Sequence, residues 1–96
     1  MEITFERLVG KVMLIGFTYY SKDNEFVGQK QFWGKVVSAN EDGILVEQKN
    51  GENLGLPPDL RSVKIAPPGE YTLHSTGEVV VNPDFLTTWS VTLNDE

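Results

Sequence analysis

Two chain reversals sit close together near the middle of the sequence, and they restrict the fold more than any other feature. Asn40-Glu41-Asp42-Gly43 ends in a glycine that can take the positive φ a return strand demands, and Asn50-Gly51 is the preferred dipeptide of a two-residue type I′ turn. Only a short strand, 44–48, fits between them. The chain is therefore expected to form a three-stranded meander here, with 26–39 entering it and 52–56 leaving it.

The flanks read the same way. In 8–20, Leu8, Val12 and Leu14 alternate with Val9, Met13 and Ile15, a period of two with apolar residues on both faces. Gly10, Gly16, Gly28 and Gly34 are the expected points of sharp bending in the two long segments. Pro57-Pro58 stops the strand 52–56, and 59–62 reads as one turn of 3₁₀-helix before a short strand at 63–66. Beyond Pro67-Pro68-Gly69, a hairpin is expected from 71–74 and 78–81, then a last strand over 87–93 and an acidic tail. Valine, isoleucine and threonine number 11, 4 and 7, against two alanines, so local preference supports strands throughout. With 96 residues and 40% hydrophobic content, the chain is expected to be one domain, 1–96, with a barrel core over about 8–66 and a C-terminal extension over about 67–96.

Five short, strongly bent antiparallel strands with a 3₁₀ turn before the fifth resemble an SH3-like barrel. The order Gly10-Lys11-Val12, a variable loop, then Phe32-Trp33-Gly34-Lys35-Val36 is similar to that of Sm-like barrels. The fold expected from this resemblance is all-β, a small SH3-like (Sm-like) barrel with an appended C-terminal hairpin and strand. Sm-like proteins carry an aspartate and a base-contacting asparagine where this chain has Asn40 and Ile44. Ile44 cannot hydrogen-bond a base edge, so the resemblance does not carry RNA binding with it. The chain is also similar to small acidic bacterial proteins, some of which are immunity proteins for toxins.

Net charge is −6, from eight basic and fourteen acidic residues, which opposes binding to a polyphosphate. A nucleic-acid surface would need Arg7, Lys11, Lys30 and Lys35 on one face. The chain opens with acids where a secretory signal places lysines, its longest apolar run is 12–15, and it has no cysteine. A cytoplasmic protein without a membrane span is expected.

No catalytic constellation stands out. His74 is the single histidine, and its neighbour Ser75 points to the opposite face of a regular strand. A small enzyme would have to pair His74 with Glu78 or Asp84. With one histidine and no cysteine, neither a metal site nor a cofactor is expected.

Aromatic residues supply the most informative pattern. Tyr19, Tyr20, Phe26, Phe32 and Trp33 flank the loop between the two long segments, where such side chains can line a groove for an extended peptide. Phe32 and Trp33 must face opposite ways. The partner-binding residues expected are Tyr20, Trp33, Tyr19 and Phe26, with Trp33 and Tyr20 as an exposed pair. The function expected is that of a non-catalytic protein-interaction module, with homo-oligomers through strand edges as a related possibility. The alternative is an acidic immunity-type inhibitor that neutralises a basic toxin.

Overall fold

A computed structural model describes residues 2–93; the acidic tail lies outside the described residues. The chain begins with a single helical turn, α1 (Phe5–Leu8), which the strand-dominated sequence pattern does not announce. Thr4 caps it by accepting a hydrogen bond from the Arg7 N–H at 3.3 Å, and Leu8 is its buried residue. Backbone bonds from Gly10 to Val36 (2.8 Å) and from Val36 to Lys11 (2.9 Å) then tie the exit of this turn to the sheet.

Eight strands follow: β1 (Val12–Tyr20), β2 (Phe26–Asn40), β3 (Gly43–Gln48), β4 (Asn53–Leu56), β5 (Val63–Ile65), β6 (Glu70–Thr72), β7 (Val79–Val81) and β8 (Phe85–Thr92). The fold is all-β. β6 and β7 form a separate two-stranded hairpin, and the other six make one sheet in the order β4-β3-β2-β1-β8-β5. No helix among the described residues is long and apolar enough to cross a membrane.

The meander forms as the turn chemistry dictates, with one correction. Asn40 pairs with Gly43 around a two-residue tip, where the Asn40 side-chain carbonyl accepts from the Asp42 N–H at 2.8 Å. At the second reversal Glu47 pairs with Asn53 and Gln48 N–H bonds to Glu52. Three residues, Lys49 to Gly51, therefore make the loop in place of the two of a type I′ turn. Gly51 alone takes the left-handed conformation (φ 88°), the geometry of a three-residue hairpin loop. The 3₁₀ turn falls at Leu60–Ser62, capped by Asp59.

The sheet differs from a five-stranded antiparallel barrel in two respects. β8 lies between β1 and β5 and runs parallel to β1, from Met13 beside Phe85 to Tyr20 beside Thr92, so the sheet is mixed. It is also open, with β4 and β5 at its edges. The physical reason is that the last strand occupies the place beside β1 that a fifth barrel strand would take, leaving β5 to pair with β8. The irregularities in the β2 ladder do not fall on its glycines. Its pairing shifts at Val27 and at Val37, each an extra residue squeezed out of the ladder. Gly34 serves close approach instead. A Cβ there would overlap the Glu47 carbonyl and lie 2.8 Å from a Val46 methyl, so its missing side chain lets β2 and β3 come together.

Core side chains come from one face of this sheet and from α1. Leu8, Met13, Ile15, Val36, Ile44, Val46, Leu56, Val63 and Phe85 form a single buried cluster. Thr87 is also buried, and its hydroxyl donates to Ser62 Oγ at 3.3 Å. Leu73 and Val80, on the β6–β7 hairpin, are buried outside that cluster.

Candidate binding surfaces

β1, β2 and β8 run on past β3 and β5. β3 pairs with β2 only from Gly34 onward, and β5 meets β8 only at 85–87. Residues 16–20, 26–31 and 88–92 therefore project as a three-stranded finger. Directly opposed residues share a face, which sorts its side chains. Phe17, Tyr19, Phe32 and Trp89 lie on the core side, where Phe17 meets Phe32 edge-on at 5.8 Å and Tyr19 at 6.4 Å. Leu14, Trp33, Gln31 and Tyr20 lie on the other.

Of the expected partner-binding set, the structure brings Tyr20 and Phe26 together, rings edge-to-face at 6.4 Å at the finger tip. Tyr19 faces the core side. Trp33 opposes Leu14, six positions along β1 from Tyr20, or about 20 Å at the rise of a strand. Trp33 and Tyr20 are thus not a contact pair: the register set by the loop at 21–25 places them at opposite ends of the ribbon. The indole N–H of Trp33 is engaged instead by Glu78, Nε1 to Oε2 at 3.2 Å. Phe32 and Trp33 do face opposite ways, as alternation requires.

Phe26 is 65% exposed and Val27, displaced at the bulge, 55% exposed. Among the described residues, the backbone beside them has no strand neighbour on its outer side. Alternate residues of β2 turn their N–H and C=O outward, and at Gln31 both groups meet the Ser75 hydroxyl, each at 3.4 Å. The neighbouring His74 N–H donates to the Gln31 side-chain carbonyl at 2.6 Å. The turn after β6 thus docks on β2 at Gln31 and ends the free edge there, leaving 26–30 open. Gln29 sits inside that stretch, its amide donating to the Thr18 hydroxyl at 3.2 Å.

The remaining candidates are dispersed. Lys30 opposes Phe17 and Lys35 opposes Val12, which puts these two cations on opposite faces of β2. Arg7 and Lys11 border a groove of about 660 Å³ beside α1, with Ile65 and Pro68 across it. Asp84 accepts from the Val12 N–H at 2.9 Å, at the far end of β1 from the finger tip, whereas His74 docks on Gln31. Among the described residues no three His, Asp or Glu side chains converge on a point that could hold a metal ion.

The bulge that exposes Val27 and the outward face of the hairpin, where Val79 and Val81 are 53% and 59% exposed, were not signalled by residue type. Valine marks a strand and does not tell which of its residues the ladder will expel. Comparison with protein families, with curated proteins and with solved structures finds no match for this chain.

Proposed function

We propose that this protein is a non-catalytic interaction module that takes an extended segment of a protein partner as an added strand along residues 26–30 of β2. The observation that carries this reading is the unpaired edge lying directly beside the exposed Phe26 and Val27. Main-chain hydrogen bonds to such an edge supply affinity, and flanking apolar side chains supply selectivity. Edges of this kind are normally blunted by charge, proline or a covering element. Here a covering turn reaches Gln31 and stops. Tyr20 supports Phe26 from behind, which keeps the ring at the edge.

We further propose that the run β1 to β4, the 3₁₀ turn and β5 is an SH3-like barrel opened by β8 between its first and fifth strands, a reading supported by the order of these elements. The immunity-type alternative rests on the acidic balance, the small size and expected cytosolic character of the chain, and its likeness to small acidic bacterial proteins, and it requires an acidic contact surface, whereas β2 carries Lys30 and Lys35 and no acidic residue.

A photo-crosslinking residue at position 26 identifies the partner, and calorimetry with that purified partner tests the edge. Gln29→Pro removes an N–H that faces away from β1, a change an edge strand tolerates. It is expected to abolish binding while leaving the unfolding midpoint nearly unchanged, and Phe26→Ala is expected to weaken binding. Unaltered affinity in both variants would overturn the proposal. Self-association of the pure protein that Gln29→Pro removes would identify the added strand as a second copy of the chain.

A further inference from the structure

At the docked turn, the β2 edge borders a second feature, which shares Lys30 with the open stretch 26–30. A cleft of about 520 Å³ lies between the loop after β3 and the turn after β6, with Trp33 in its wall. Its polar lining is rich in donors. Lys30 and Lys49 enter it from two different segments, and neither is in an ion pair among the described residues, where Arg61 with Asp59 is the one salt bridge found. Gln48 contributes a primary amide and Thr76 a hydroxyl, whose oxygen already accepts from the Glu78 N–H at 3.2 Å and so has its proton to give. The one carboxylate in the lining, Glu78, is turned to the Trp33 indole.

We infer that this cleft binds a small organic oxyanion carried on a flat apolar body. Two unpaired ammonium groups on one cleft, in a chain whose net charge is −6, attract an anion there against the field of the rest of the surface. The Trp33 side chain gives the wall an apolar share, which suits a planar ring and disfavours a bare inorganic ion. Glu78 sets the limit of the site: its charge repels an oxyanion from the indole end of the cleft.

The oxygen atoms of a carboxylate and of a phosphate ester present the same chemistry to these donors, so the test runs both. Benzoate and phenyl phosphate are titrated into the ¹⁵N-labelled protein, with neutral benzamide as the control of equal shape. Either anion is expected to shift the Trp33 indole and Gln48 amide resonances saturably at concentrations up to about 10 mM, within the range of weak small-ligand affinities. Benzamide is expected not to. The exposed pair Lys30→Gln with Lys49→Gln should weaken binding at least about fivefold, the scale of two solvent-accessible charge contacts. Retained shifts of the Met13 and Val46 methyls show that the variant is folded. Absence of saturation with both anions, equal binding of benzamide, or indifference to the lysine substitutions overturns the inference. Because Gln29→Pro leaves this cleft in place, anion binding by that variant separates the two sites.

Discussion

The base of the molecule and its finger are built from the same strands, yet they use different side chains. In the base, where β2 to β4, α1 and β5 close over one another, the buried cluster is aliphatic apart from Phe85: Leu8, Met13, Ile15, Val36, Ile44, Val46, Leu56 and Val63. In the finger the sheet has no second layer among the described strands, and most of the half-covered apolar residues are aromatic: Phe17, Tyr19, Tyr20 and Trp89, with Phe32 at its base, whereas Phe26 and Val27 are exposed. Enclosure from every side favours compact branched chains that interdigitate at crystal-like density. A single covered face favours rings, which lie flat over neighbours and gain edge contacts without being surrounded. Stability should therefore reside in the base, and surface for partners in the finger.

Truncation tests that division most directly. Met13→Ala and Ile15→Ala, in the base, are each expected to lose about 2–5 kcal/mol in urea unfolding. Phe26→Ala, at the tip, is expected to change stability by no more than about 0.5 kcal/mol, and a loss as large as that at Met13 would break the comparison. Gly34→Ala forces β2 from β3 at the Glu47 carbonyl, with an expected cost of about 1–3 kcal/mol by the same measurement. Trp89 sharpens the boundary, because its indole nitrogen is buried without a hydrogen-bond partner among the described residues. Trp89→Phe removes that unsatisfied donor, whose burial costs about 1–3 kcal/mol, against the loss of ring area. A net change within about 1 kcal/mol is expected.

The smallest effect concerns Asp59, whose carboxyl is held below the ordinary carboxylate range by the side-chain hydrogen bonds and then the backbone N–H of Arg61. A depressed folded value stabilises above the unfolded value, and that contribution fades as pH falls through the folded one. Both groups are exposed, so the effect is seen in titration more readily than in stability. Arg61→Ala is expected to return the Asp59 carboxyl resonance to an ordinary midpoint.

How much of this was legible depended on how local each cause is. Asn40 to Gly43, Gly51 and Asp59 act on their own neighbours, so both hairpins and the 3₁₀ turn could be read from the chain. The insertion of β8 beside β1 could not, since pairing between 12–20 and 85–92 leaves no trace in either segment alone. The glycines of β2 were read as bends, and the ladder instead bulges at Val27 and Val37, where partner strands decide. For the site, the opposite faces of Phe32 and Trp33 followed from strand period. The distance from Trp33 to Tyr20 required the register, and the placing of Lys30 and Lys49 on one cleft required the third dimension.

The position of β8 also bears on how the chain is made. A ribosome delivers β1 to β5 long before residues 85–92, so a nascent chain holds β1 with one flank bare and β5 with nothing to pair with. Long-range strand pairing closes slowly, and waiting strand flanks invite association. Docking of β8 between β1 and β5 is therefore the step of folding that completes both flanks at once.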